Sequence, residues 1–483
     1  MMMTILSIDS PTSPTSPRAW SPWLGALVAA FCGCGDSGGA ETSGATSQVT
    51  SASASATGSS TSATTGASES AGGETESGGA TSGASASTTD DTGLKLDVGA
   101  PDGEFDCGCE LSYVWVANSA EGTVSKINME TLEEEGRYLT RKDGQGNPSR
   151  TSVGLNGDVA VANRHGGLVK FYADVANCKE SNGVPGIQTS TGKDDVLPWE
   201  MEECRAWYID FPTTNQRPVA FTQGYVTPGT CDSSNEKIWT VMSATKSLFP
   251  GLGGPGGVIV SLVDGATGAI EKQVKIDTFS GDQFGAYGGA VNSRGDLYFT
   301  SMAFNGGKLA WVSVENFAYK VWTIPPEIGP YGITVDHNDR VWVSSASIGQ
   351  TGAGRFDPAT ETWATVNKGF WAGAGLAEGK GNLMWISSHL GISSVDVDTF
   401  APGPVFQTDE TVKGVGVDLK GFLWGVTYEG EDEMGNPVGK AMVMKIDPAT
   451  MELVGTYEGL DNPYTYSDFT GNALANVSCM PPS

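Results

Sequence analysis

Three cations and four aromatic residues recur at one point of a repeating pattern, and with a fourth cation nearby in sequence they are the residues best suited to chemistry. The segments that enter successive repeats carry Arg150, Arg217, Tyr287, Tyr331, Trp371, Lys413 and Tyr464, one per repeat. The segments that leave the second strand of each repeat carry Asn118, Asn163, Arg164, His165, Ser301, Ser345, His389, Tyr428 and Glu429. Arg150, Arg164, Arg217 and Lys413 concentrate positive charge of the kind that grips a carboxylate or phosphate. Tyr287, Tyr331, Trp371 and Tyr464 offer flat faces on which a sugar, a peptide or a ring can stack. The alternative use of the same residues is packing between neighbouring repeats. No nucleophile elbow, phosphate-binding loop or paired-histidine zinc motif is present. The glycine run Pro250–Gly257 has neither the lysine nor the following helix of a phosphate loop, and is expected to be a flexible loop between strands.

These residues must be positioned by short strands. The 37 residues from Pro330 to Val366 contain four of them, YGITVD, RVWVSSA, GAGRFD and ETWATV, separated by Asp/Asn/Gly/Pro turns. The second strand of such a unit recurs seven times, opening at Tyr113, Asp158, Lys237, Asp296, Arg340, Asn382 and Phe422. The last four copies are spaced by roughly 40 residues, the size of one four-stranded blade. A second mark is the turn between strands three and four, led by Asn128, Asp264, Asp357, Asp396 and Asp447 and closed by Thr. A side-chain oxygen accepting backbone N–H groups two and three residues on explains it; one carboxylate per turn is too few for calcium. The strand-two tryptophans Trp115, Trp239, Trp342, Trp385 and Trp424 fall on the apolar phase and are expected in the core. The fold expected is all-β, a seven-bladed β-propeller. The first copy lacks an opening strand, whereas Tyr464–Phe469 is a surplus one, with Asp468 and Gly471 matching Asp418 and Gly421. The C-terminal strand should therefore complete the first blade and leave no free sheet edge. Two inserts, Ala176–Pro212 and Thr227–Glu236, interrupt the second and third copies.

Three divisions are expected: an export signal over 1–34, a linker over 35–104 and the propeller over 105–483. Arg18 precedes an apolar run from Trp23 to Phe31, followed by Cys32-Gly33-Cys34. This resembles a bacterial lipoprotein signal, with Cys34 as the lipidated residue; simple cleavage and secretion is the other reading. Residues 37 to about 95 are almost all Ser, Thr, Gly and Ala, which bury too little apolar area to fold and read as a disordered tether. The expected location is the cell envelope or surface, outside the cytoplasm, with the membrane reached only through the lipid. Of eight cysteines, Cys107, Cys109, Cys178, Cys204, Cys231 and Cys479 remain in the exported part and are disulfide candidates. A pair is expected within the neighbourhood of Cys178, Cys204 and Cys231, and a bridge from Cys479 to Cys107 or Cys109 would lock the ring. Cys107-Gly108-Cys109 is too tight for zinc, and the chain has three His, so no metal site is expected. A formal charge of -28 argues against nucleic acid.

The copies YVWVANSAEGTVSKINMET, GRFDPATE and MKIDPATMELVGTY resemble the YVTN and NHL-type seven-bladed β-propellers over about residues 110–475. VDHNDRVWVSSA and VDLKGFLWGVT are similar to the streptogramin B (virginiamycin B) lyase branch. That branch implies a glutamate-bound magnesium and a catalytic histidine in a C–O lyase. Here Ser301, Ser345, Ser388 and Thr427 stand where the glutamates belong, and His389 and Glu429 lie one and two residues further on. Three functions follow as expectations. The first is an anchored binding protein for a small anionic, sugar or peptide ligand or a cell-envelope protein, monomeric and without cofactor. The others are a magnesium-assisted lyase using His389 and Glu429, and a surface scaffold.

Overall fold

Alternating β-branched, aromatic and small residues between tight turns force short antiparallel strands, and the chain builds them in sets of four. The computed structural model describes residues 111–227, 233–302, 307–345, 352–366, 375–388, 391–431 and 437–478. Cys34, Cys107, Cys109, Cys231, Cys479, Trp371 and His389 lie outside them. Six four-stranded sheets and one three-stranded sheet are arranged as seven blades around an axis. In blade five the strands Pro330–Val335, Val341–Ser345, Ala353–Asp357 and Thr362–Val366 pair in chain order, as the sequence predicts. One blade departs from the expected boundaries. The outer strand of blade two is Arg205–Ile209, inside the stretch read as an insert, so the insertion falls between strands three and four. It is tied down by the Cys178–Cys204 disulfide. Glu203 accepts the N–H groups of Ser181, Asn182 and Gln188, so one buried carboxylate replaces a ladder.

The three-stranded sheet is blade one, Tyr113–Asn118, Thr123–Asn128 and Glu134–Leu139. Its fourth member comes from the other end of the chain. Tyr464 N donates to Ala117 O (3.0 Å) and Trp115 N to Phe469 O (2.9 Å), while Ala117 N donates to Thr465 Oγ1 (2.8 Å). The ring is thus closed by Tyr464–Phe469, as an irregular strand whose ladder is partly carried by a side chain. The following helix, Asn472–Ser478, was not legible in the sequence; its buried residues are Leu474, Ala475 and Val477.

The tryptophans occupy the core: Trp115, Trp239, Trp342 and Trp424 are fully buried and Trp385 is 2% exposed. A buried indole N–H needs an acceptor. Trp342 donates to Asp336 and Trp424 to Asp418 in their own strand-one turns (both 2.8 Å), whereas Trp115 and Trp239 reach Gly157 O and Gly295 O of the next blade. A second fastening explains the basic residue in SKIN, LVKF, GRFD and MKID. Lys126 donates to Ala173 O (3.0 Å), Lys170 to Gly265 O (3.2 Å) and Lys445 to Met129 O (2.7 Å), and Arg355 donates to Val397 O. Each is a third-strand cation reaching the three–four turn of the following blade, and Lys445 spans the junction from blade seven to blade one. The turn leaders act as predicted: Asp264, Asp357, Asp396, Asp447 and Asn128 each accept from groups two or three residues on.

Candidate functional site

Inner strands define the axis, and five of them break register at the same place. The shifts lie at Pro148/Arg150, Ala286/Gly288, Pro330/Ile333 and Val412/Gly414, and in blade three opposite Thr240/Met242. A bulge of this kind re-aims a side chain out of the sheet's alternation. The residues at or beside the bulges are Arg150, Arg217, Tyr287, Tyr331 and Lys413. They turn toward one another across the axis instead of wedging between blades.

The result is a two-layered cluster. In the lower layer Tyr287, Tyr331, Tyr464 and Tyr466 form one buried aromatic group with ring centroids 4.8–6.0 Å apart. The Tyr287 and Tyr464 hydroxyls lie 3.2 Å apart, and the Tyr331 hydroxyl bonds to that of Tyr464. Arg150, 1% exposed, stacks its guanidinium 3.4 Å from the Tyr466 ring centroid and 4.8 Å from that of Tyr287. It donates to Ser149 O (3.0 Å) and to the Tyr466 hydroxyl. Arg217, 4% exposed, donates to Gly251 O (2.9 Å), Phe284 O (3.3 Å) and Asn215 Oδ1, and lies 5.2 Å from the Tyr287 ring centroid. The Nε atoms of both arginines are buried without a partner, and among the described residues neither forms an ion pair with a carboxylate.

The upper layer is half-exposed. Arg164 covers the Tyr464 ring at 4.2 Å and donates to Asn147 Oδ1. Lys413 lies 5.6 Å from the Tyr331 centroid and 5.3 Å from that of Tyr428. Phe284, Met302 and Tyr428 pack against the buried tyrosines. Burial, with Arg164 and Arg150 nearby, lowers the pKa of Arg217 against the opposing influence of the tyrosines. Burial likewise pushes the Tyr331 and Tyr466 phenols far above their ordinary range. The phenols therefore stay neutral and cannot serve as counter-charges near pH 7. Of the residues predicted to meet, Arg150, Arg164, Arg217, Tyr287, Tyr331, Lys413 and Tyr464 do so. Tyr466 was missed; its signal was the alternation Tyr464-Thr465-Tyr466, which places both rings on one side of a strand.

Glu429 is half-buried after the second strand of blade seven, and His389 lies outside the described residues. The hydroxyls standing where the lyase glutamates belong are engaged locally: Ser301 Oγ accepts from Lys308 N, Ser388 donates to Gly391 O, and Thr427 donates to Lys440 O. Among the described residues no three His, Cys, Asp or Glu side chains converge as a metal site.

The opposite end of the axis holds a cavity of about 50 Å³, lined by inner-strand residues such as Ser152, Val219, Val335 and Val417 and covered by Asn472–Leu474. Asp468 faces it. Its Oδ1 accepts from Gly471 N (2.9 Å) and Thr470 N (3.3 Å), while Oδ2 is buried with no partner. Burial raises this carboxyl to about 6. Asp468 is the blade-one counterpart of Asp336 and Asp418, whose second oxygens take the indole N–H of their own blade. In blade one Trp115 donates to Gly157 O instead, so the oxygen is left over. Beside the cavity, His337 donates its backbone N–H to the buried Glu378 (2.8 Å) and pairs its ring with the same carboxylate, which raises the His337 pKa.

The chain matches no protein family description and no curated protein. Among solved structures it is similar to a functionally unknown protein from Desulfotomaculum acetoxidans, at 11% identity and a TM-score of 0.49, covering 73% of this chain and 96% of that one. It is similar to a protein of unknown function from Bacteroides caccae, at 11% identity and a TM-score of 0.40, covering 74% and 98%. It is also similar to virginiamycin B lyase from Staphylococcus aureus, at 14% identity and a TM-score of 0.43, covering 66% and 89%. At these identities and scores no activity carries over from any of them.

Proposed function

We propose that this chain is an exported, lipid-anchored β-propeller that binds an anionic ligand, or an anionic group on a partner, at the arginine and tyrosine cluster on its axis. One observation carries the reading: Arg150 and Arg217 are buried together, with no carboxylate paired to either among the described residues. A desolvated cation is costly, by several kcal/mol per ion in real proteins. Stacking on tyrosine faces returns about 0.5–2 kcal/mol per contact, which leaves much of the cost standing. An anion above the cluster, touching Arg164 and Lys413, would be drawn by all four positive groups. Arg18, the apolar run and Cys34 support export and anchoring, with the Ser/Thr-rich stretch as the spacer.

Thermal unfolding in sodium sulfate against sodium chloride at matched ionic strength tests the reading. A ligand at a hundred times its Kd adds about 2.7 kcal/mol of stability, so sulfate should raise Tm. The rise should shrink in Arg164→Gln and Lys413→Gln, whose half-exposed side chains contribute little to the fold. Sulfate is excluded from protein surfaces and stabilises any fold somewhat, so an equal rise in wild type and in both variants would overturn it. A scaffold role is favoured by the closeness of the tyrosine packing, and it predicts that equality. Metal-assisted elimination by His389 and Glu429 predicts instead that magnesium raises Tm and that Glu429→Ala abolishes the rise.

A further inference from the structure

We propose that the ligand of this mouth is an amphipathic anion, with its acidic head at the arginines and an apolar tail lying on Leu248 and Phe249. The inference rests on the anion-binding reading above and adds the other half of the ligand. Leu248 is 96% exposed and Phe249 65%, adjacent residues that bury almost nothing of this chain. They stand at the tip of the loop between strands Lys237–Ser243 and Val258–Asp264.

That loop is fastened to the mouth. Arg217 donates to Gly251 O (2.9 Å), Gly251 N to Thr214 O (2.7 Å), Ser247 N to Thr214 Oγ1 (2.8 Å) and Gly253 N to Gln283 O (2.6 Å). Gly253 serves contact more than flexibility, because a Cβ there would sit 2.0 Å from Gly281 O. The two apolar side chains are thus held two and three residues from the carbonyl that a mouth arginine grips. The loop also borders Arg164, since the side chain of the next residue, His165, lies 3.8 Å from the Cβ position of Gly251, so in this proposal an anion seated over Arg164 has the apolar tip to one side. A ligand that is charged throughout would leave the tip in water; a wholly apolar one would leave the buried Nε atoms of Arg150 and Arg217 without a counter-charge nearby. A single acidic head on an alkyl chain satisfies both.

The test is calorimetric titration of the full chain with acetate, octanoate and octanol. A fully buried methylene is worth a factor of about four in affinity, and the tip covers one side of a chain only. Octanoate should therefore bind at least about tenfold tighter than acetate, and octanol should show no comparable binding. Leu248→Ser/Phe249→Ser, with unchanged melting, should bring octanoate down to the acetate affinity and leave acetate itself unaltered. Arg164→Gln should weaken both acids. Equal binding of acetate and octanoate, or an unaltered ratio in the Leu248/Phe249 variant, overturns the inference while the anion-binding reading stands. Octanol binding as tightly as octanoate would reduce the loop to a greasy surface and also overturn it. Failure of every carboxylate to bind overturns the underlying reading and this inference with it.

Discussion

Replacing Asp468 with Asn should stabilise the protein at neutral pH and do progressively less as the solution is acidified. The carboxyl is raised to about 6 from an unfolded value of 3.8, through burial opposed by backbone donors at Gly471, Thr470, Val153 and Ala473, with no neighbouring charge among the causes. The native state therefore holds this proton more tightly than the unfolded chain. Between those two values the native state binds more protons, so stability falls as pH rises, and above about 7 the full penalty of an ionised, cavity-facing carboxylate applies. At about 1.4 kcal/mol per pH unit, the gap corresponds to at most about 3 kcal/mol. Asn keeps a carbonyl oxygen for the Thr470 and Gly471 N–H groups and carries no charge. The assay is urea unfolding of both proteins from pH 4.5 to 8. The variant minus wild-type difference should grow by about 2 kcal/mol between pH 4.5 and pH 8, about 1 kcal/mol of the penalty having already set in below pH 4.5. Taking the difference cancels other titrations, including the His337–Glu378 pair. A difference independent of pH, or a variant less stable at pH 8, would refute the reasoning.

Three further outcomes are expected. Lys445→Met removes the bond to Met129 O across the junction of blades seven and one, leaves a buried carbonyl unmatched, and should cost about 1–3 kcal/mol in urea. Reducing Cys178–Cys204, which spans a separation of 26, should lower stability by up to about 3.5 kcal/mol in the chain-entropy account, read as the change in urea midpoint with and without reductant. Ending the chain after Asn462 removes the partners of Trp115 N and Ala117 O, so unfolding followed by tryptophan fluorescence should lose its single cooperative step; a truncated protein with unchanged melting would contradict closure by the tail.

The blades were legible because strand alternation and the Asp-led turns are local signals, written within a few residues of each other. Closure was legible by counting, since one strand was missing at the front and one was spare at the back. The axial cluster was half legible. One large residue per repeat marked Arg150, Arg217, Tyr287, Tyr331, Lys413 and Tyr464, but their direction depends on a bulge that no residue type announces. Tyr466 was passed over because only one residue per repeat was sought. The outer strand of blade two, Arg205–Ile209, was absorbed into an insert because the disulfide loop separates it from its partner strand in sequence. The orphaned oxygen of Asp468 was beyond reach, because the sequence marks the aspartate yet not where Trp115 sends its N–H.

Blade one is assembled from the two extremes of the folded region, and this sets an order on biogenesis. Whatever machinery delivers the chain, Tyr464–Phe469 arrives after all the other strands of the seven blades, and until it does Tyr113–Asn118 offers an unsatisfied margin to any passing strand. An exported polypeptide would meet the outside in that unfinished state for as long as its tail is still in transit. Protection during that interval, by a chaperone or by speed, is therefore a requirement that the circular design itself creates.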